Sequence, residues 1–127
     1  MSAIKSYRDL LVWQKGIDLV VEAYRATAQF PKSELYGLTS QIRRAASSIP
    51  ANIAEGYGRG SRKEYVQFLT VAQGSLKELE THLIVSEKLS YVTAAQTKRL
   101  LSETDELGRM LGSLIRKLKL TNLHPNP

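Results

Sequence analysis

Residues 38–56 read LTSQIRRAASSIPANIAEG, and this stretch decides the fold. Its apolar and small residues recur at alternating steps of four and three, which is the spacing of one face of an α-helix. The residues on that face are Leu38, Ile42, Ala45, Ile49, Asn52 and Gly56. Pro50 lies inside the pattern, removes the backbone hydrogen bond to the Ala46 carbonyl, and predicts a kink. We therefore predict a helix over residues 34–58 that ends at a run of glycines.

Three further segments have the same helical spacing: residues 9–29, 62–89 and 94–119. Each has a capping-box sequence near its start. The capping pairs are Ser6 with Asp9, Ser61 with Glu64, and Thr93 with Gln96. Residues 120–127 hold two prolines and little apolar surface, so we expect a frayed tail. Four long helices joined by short links predict an all-α fold, an up-down antiparallel four-helix bundle that forms a single domain over residues 1–127.

The first helix is apolar over much of its circumference. We expect one stripe to face the core, formed by Leu10, Trp13, Ile17, Val20 and Tyr24. Other apolar residues lie off that stripe, namely Leu11, Val12, Leu19, Val21 and Ala28. A helix of this kind is buried on more than one side, which favours an oligomer.

The amino-acid composition excludes several classes of functional site. The chain has 127 residues, no cysteine and a net charge of +6. The absence of cysteine excludes disulfides, thiolate metal sites and cysteine nucleophiles, and is typical of a reducing compartment. We see no signal peptide and no apolar run near the ~20 residues that a bilayer requires, so we predict a cytoplasmic protein without a membrane partner. A basic surface attracts polyanions such as nucleic acids, although it can also be an ordinary solvated surface.

Basic residues cluster in sequence around the second helix and the turn that follows it. The candidate nucleic-acid-binding residues are Arg43, Arg44, Arg59, Arg62, Lys63 and Tyr57. The cations would neutralise phosphates, and the tyrosine ring would stack on an unpaired base. The alternative is a flexible turn with solvated charges. A second basic group consists of Arg109, Arg116, Lys117 and Lys119, and its favourable interaction with the helix dipole is sufficient to explain it.

Two polar residues of the second helix are interpreted as structural. Asn52 would satisfy backbone groups opened by Pro50 or fix the helix register, and the alternative is a ligand contact. Glu55 would pair with Arg44 or with an arginine of a neighbouring helix or subunit. A role for Glu55 as a general base would need a second acid, histidine or nucleophile nearby, and the sequence supplies none. We therefore predict no catalytic residue, no metal or cofactor site and no small-molecule substrate.

Several motifs occur in a familiar order along the chain. They are LVWQK at 11–15, FP at 30–31, YGL at 36–38, TSQIRRAA at 39–46, SIPANIAEG at 48–56, FL at 68–69, GSL at 74–76 and ELET at 78–81. This order resembles the bacterial four-helix-bundle family encoded in intervening sequences of 23S ribosomal RNA genes. That family includes the accessory variability proteins of diversity-generating retroelements. The resemblance covers about residues 7–118.

The resemblance implies a homopentamer without enzyme activity or cofactor. The retroelement members of this family bind nucleic acid and a reverse transcriptase through a basic surface, and the resemblance implies these two classes of partner. Two hypotheses follow. The first is a non-enzymatic oligomer that binds RNA or a DNA–RNA hybrid. The second is a protein-interaction scaffold or accessory subunit, for example to a reverse transcriptase or a ribosome-associated protein.

Overall fold

A computed structural model describes residues 3–123, with side chains through residue 120. Within this range the chain forms four α-helices and no strand, as predicted. The helices are α1 (Leu11–Thr27), α2 (Leu38–Tyr57), α3 (Arg62–Lys88) and α4 (Ala94–Leu123), and short 3₁₀ turns occur at Tyr7–Asp9 and Lys32–Glu34. No helix among these residues combines the length and apolarity needed to cross a membrane.

The first two helices begin later than predicted. Ser6 and Asp9 form the expected capping box, but it caps the 3₁₀ turn, and Leu10 is extended before α1 begins. The second helix begins at Leu38 instead of residue 34, because a 3₁₀ turn and the non-helical Gly37 precede it.

The last helix is longer than predicted. We expected a tail from residue 120, whereas α4 continues to Leu123. Residues 120–123 contain no glycine or proline, so nothing in them breaks a helix. The remainder of the predicted tail, residues 124–127, lies outside the described residues.

Neighbouring helices are antiparallel, because contacts between them pair late residues of one helix with early residues of the next. In α1 and α2, Arg43 donates a hydrogen bond to Thr27. In α2 and α3, the rings of Tyr57 and Tyr65 are in contact, with centroids 5.8 Å apart. The other pairs are Thr104 with Glu80 between α3 and α4, and Arg99 with Glu22 between α1 and α4. The helices therefore form an up-down bundle in which α4 returns beside α1.

The core confirms most of the predicted stripes, but in α1 the predicted Leu10, Trp13 and Val20 are only partly buried against it. Ile42, Ile49 and the leucine series of α3 are fully buried. In α1 the buried residues are Val12, Gly16, Leu19, Ala23 and Thr27, whereas Ile17 and Tyr24 are exposed. The small residues explain this choice. A Cβ added to Gly16 would lie 3.3 Å from Cβ of Pro50, so glycine permits α1 to approach α2 closely.

Candidate nucleic-acid interface

The bundle topology brings three sequence-distant segments to one end, which we call the basic end. It consists of residues 3–10 before α1, the link between α2 and α3, and the last turns of α4. Two surface hollows show that these segments meet. One is lined by both Arg62 and Leu118, and the other by both Asp9 and Lys117. The links between α1 and α2 and between α3 and α4 form the opposite end.

The basic end has a large excess of positive charge. Residues 5–9, 55–64 and 116–119 hold eight basic and three acidic side chains. The basic ones are Lys5, Arg8, Arg59, Arg62, Lys63, Arg116, Lys117 and Lys119, all of them exposed. The structure thus brings together members of the two predicted basic groups, Arg59, Arg62 and Lys63 of the first with Arg116, Lys117 and Lys119 of the second. The order of the helices could have predicted this meeting, because alternate helices of an up-down bundle run in the same direction and the end of α4 therefore lies near the end of α2.

The three carboxylates at this end are already engaged. Asp9 accepts hydrogen bonds from the backbone N–H groups of Lys5 and Ser6, at 2.9 and 3.3 Å. Glu55 and Glu64 flank the Arg59 guanidinium, at 3.1 and 3.8 Å. Six cations of the basic end form no ion pair with any described residue, and these are Lys5, Arg8, Arg62, Lys63, Arg116 and Lys119. Their charge is available to an external anion.

Two predicted binding residues, Arg43 and Arg44, do not belong to this group. They precede Arg59 by 15 or more residues on α2 and its link, a helical distance of about 22 Å. Arg43 holds two helices together, because its Nε donates to Thr27 Oγ1 at 2.9 Å and its guanidinium lies 4.4 Å from the centroid of the Tyr24 ring. Arg44 is exposed. The predicted five-residue basic cluster is therefore two separate features.

Asn52 and Glu55 make contacts that differ in detail from those expected. Asn52 Nδ2 donates to the backbone oxygen of Ser48 at 2.8 Å and to its Oγ at 2.9 Å, and not to the Ala46 carbonyl that Pro50 leaves open. Ser48 in turn bonds Ser75, so Asn52 belongs to a polar link between α2 and α3. Glu55 pairs with Arg59 rather than Arg44, since residues four apart lie on one helix face.

Two tyrosines lie beside the unpaired cations. The rings of Tyr57 and Tyr65 meet edge to face, with centroids 5.8 Å apart. Tyr65 is half-buried and packs against the hydrophobic core. Its hydroxyl oxygen is buried and has no hydrogen-bond partner among the described residues. Burial, with a smaller contribution from Tyr57, raises the pKa of Tyr65 to about 12.

The opposite end is closed by contacts between its own links. Tyr91 donates to Glu34 Oε2 at 3.0 Å, and this bond raises the Tyr91 pKa above its ordinary value. The other Glu34 oxygen accepts the N–H of Leu38 at 3.0 Å. The rings of Phe30 and Tyr91 pack 5.4 Å apart. These contacts join the α1–α2 link to the α3–α4 link.

No cluster of three or more metal-ligating side chains occurs among those that the structure describes. The ionisable groups with shifted pKa values have local causes. Lys15 and Glu106 form an ion pair that raises the pKa of the lysine and lowers that of the glutamate. The sequence prediction of an interface without a metal or catalytic site remains a prediction.

Comparisons with known proteins agree with the motif order. The model of the 23S rRNA-intervening sequence protein family matches residues 8–113. A crystal structure of a protein of unknown function from the S23 ribosomal protein family of Bacteroides thetaiotaomicron is similar, with a TM-score of 0.75 and 25% identity, covering 83% of this chain and 98% of that one. Comparison with curated proteins gives no match. Because the family model spans most of its length, the chain belongs to the 23S rRNA-intervening sequence protein family.

Proposed function

We propose that this protein binds nucleic acid, RNA or a DNA–RNA hybrid, by electrostatic contacts between its basic end and the phosphate backbone. One observation carries the proposal. The fold gathers cations from three separate segments at one end, while local contacts occupy all three nearby carboxylates. Cations that release counterions from a polyanion supply sequence-tolerant affinity. The ribosomal wording in the names of the family and of the similar structure is compatible with an RNA partner.

The proposed action is binding without catalysis. The described groups with shifted pKa values are an exposed ion pair, a tyrosine bonded to Glu34 and the buried hydroxyl of Tyr65. Each shift has a structural cause, and none poises a base near neutral pH as acid–base chemistry requires.

A second candidate function, self-association or docking of a protein partner in the cytoplasm, is supported by α1. Its outer face exposes Leu11 at 67%, Val21 at 43% and Tyr24 at 44%. Exposed apolar surface of this kind is typical of interfaces. We propose that this face packs against other copies in a homopentamer, as the family resemblance implies. Five basic ends on one assembly would raise the avidity for a long polyanion. Native mass spectrometry tests this, and a monomer at micromolar concentration would contradict it.

The nucleic-acid proposal is tested by measuring RNA binding over a range of salt concentrations. We expect the logarithm of affinity to fall linearly with the logarithm of salt, with a slope of about −0.7 to −0.9 per phosphate neutralised. Reversing Arg62 and Lys63 to glutamate should weaken binding at least tenfold and make this slope about two units shallower.

The matched control reverses Lys88 and Lys98, which are exposed at the opposite end. This variant has the same net charge as the first. Equal losses in both variants would indicate a diffuse field effect and reject the basic end as the site. Failure of the wild-type protein to retain RNA or a hybrid duplex at low salt would reject the function.

A further inference from the structure

A hollow of about 270 Å³ opens at the basic end where three helices meet. Its walls are the end of α2, the start of α3 and the late part of α4, and its surface is mostly apolar. The lining residues are Tyr57, Gly60, Ser61, Arg62, Tyr65 and Leu118. Sites for drug-sized ligands are about 300–1,000 Å³, so this hollow fits a smaller planar group, of about the size of one nucleobase.

Gly60 keeps one side of the hollow open. Its φ of +77° is a left-handed conformation that the chain needs to turn from α2 into α3, and a side chain there would be strained. A Cβ at this position would meet no atom within 4 Å, so the space above the link is empty. A planar group can therefore reach the tyrosine rings from solvent.

The Tyr65 hydroxyl has no structural role in the described part of the chain. A buried polar group without a partner reduces stability, and such groups are uncommon in native proteins. The neighbouring Tyr57 makes an edge-to-face contact with the Tyr65 ring and is itself half-buried. The hollow thus combines an aromatic wall with the exposed Arg62, which forms no ion pair with a described residue.

We propose that this hollow binds one unstacked base of a single-stranded nucleic acid. The base would stack on Tyr57, and Arg62 would contact the adjacent phosphate. This inference rests on the proposed nucleic-acid function and specifies its substrate class. A base within a duplex is already paired and stacked, so a duplex gains only the phosphate contacts. The base site therefore adds affinity for a single strand that a duplex of equal length does not gain.

The test compares three probes of about 15 nucleotides, a length typical of single-strand sites. They are single-stranded RNA, the corresponding duplex, and a single strand with abasic sugars that keeps the phosphates but has no bases. We expect the intact single strand to bind at least about fivefold more tightly than the abasic strand, because stacking on one aromatic ring contributes about fivefold or more.

Two variants locate the base. Tyr57→Ala should weaken the binding of single-stranded RNA about tenfold and leave the binding of the abasic strand unchanged. Tyr65→Phe keeps the ring and removes only the buried hydroxyl, so it should leave the binding of both strands unchanged. The matched control is Tyr36→Ala, because Tyr36 is 93% exposed and lies at the opposite end. If Tyr57→Ala does not fold, Tyr57→Leu preserves the apolar volume without the ring.

The outcomes separate the two proposals. Equal affinity of the wild-type protein for the intact and abasic strands overturns the base site and leaves backbone binding in place. Equal effects of the Tyr57 and Tyr36 variants do the same. Loss of binding to all three probes at low salt overturns the proposed function itself.

Discussion

The two ends of the bundle use their polar side chains differently. At the opposite end, Glu34 accepts hydrogen bonds from the Leu38 N–H and from the Tyr91 hydroxyl, and the second of these joins the two links. At the basic end, Arg62 and Lys63 are exposed without an ion pair among the described residues, and the Tyr65 hydroxyl is unsatisfied. The first arrangement stabilises the fold. The second leaves charge and hydrogen-bonding capacity unused, which is expected of a binding site.

The largest expected effect on stability comes from a substitution in the core of the opposite end. Phe30 is 8% exposed and packs against Tyr91, so Phe30→Ala should lower the free energy of unfolding by about 3–5 kcal/mol through lost burial and a cavity. Urea denaturation measures this change. RNA binding below the unfolding temperature should be unaltered. Tyr36→Ala serves as the control and should stay within about 0.5 kcal/mol of wild type. A loss under 1 kcal/mol for Phe30→Ala would mean that this end does not stabilise the fold as described.

The next effect separates the two groups of arginines. Arg43→Met keeps a long apolar stem but loses the bond to Thr27 and the contact with the Tyr24 ring, at a cost of about 2 kcal/mol. Arg44→Met removes an equal charge from the same helix and should change stability by less than about 0.5 kcal/mol. Chemical denaturation of the two variants gives the difference. If Arg43→Met weakens RNA binding as strongly as charge reversal at Arg62, the division between the ends is wrong.

A third prediction concerns two substitutions that each remove one tyrosine hydroxyl, one at each end, and that should change the stability in opposite directions. Tyr91→Phe should lower the melting temperature, because it removes the bond to Glu34. Tyr65→Phe should raise the free energy of unfolding by about 1 kcal/mol, because it removes an unsatisfied buried group. Stabilisation by both substitutions, or by neither, would contradict the comparison.

The pKa of Tyr65 adds a pH test to this pair. A folded pKa of about 12 exceeds the ordinary value of 10, so the unfolded chain ionises first as the pH rises. Stability should therefore fall as the pH rises from about 10 towards 12. Tyr65→Phe should make this alkaline slope shallower in thermal melts, whereas Tyr36→Phe should leave it unchanged.

The smallest expected effect concerns the Lys15–Glu106 ion pair, which lies between the two ends of the bundle. The hydrogen bond and charge of Lys15 lower the pKa of Glu106, so this carboxylate favours the folded state above its unfolded pKa. That contribution is lost as the pH falls through the lowered, folded value. Because the pair is exposed, Glu106→Gln should reduce the acid sensitivity of the melting temperature only slightly. Glu87→Gln is the control, and an equal change in both variants would exclude a specific role for the pair.

The sequence predicts the structure correctly where the spacing of apolar residues is compatible with only one buried face of a helix. The four-three repeats of α2 and α3 identified the buried faces, since only those spacings keep apolar side chains on one side of a helix. It failed for α1, where two apolar stripes compete and the small size of Gly16 decides between them. It also failed for Arg43, because whether an arginine meets solvent or a neighbouring ring depends on which helix packs beside it.

The candidate site was predicted in part. Arg59, Arg62, Lys63 and Tyr57 are adjacent in sequence and were found, although Arg59 proves to be paired with Glu55 and Glu64. The contribution of the end of α4 was assigned to the helix dipole alone. Its meeting with the α2–α3 link follows from chain direction and length rather than from local sequence.

The sequence by itself determined the family, the number of helices and the excess of positive charge, because periodicity, motif order and composition are local properties of the chain. The tertiary structure decided which stripe of α1 is buried, which arginines are bound internally, and where the free cations gather. These depend on contacts between residues far apart in the sequence. Close packing around Gly16, Pro50 and Gly56 sets those contacts, and no local pattern specifies them.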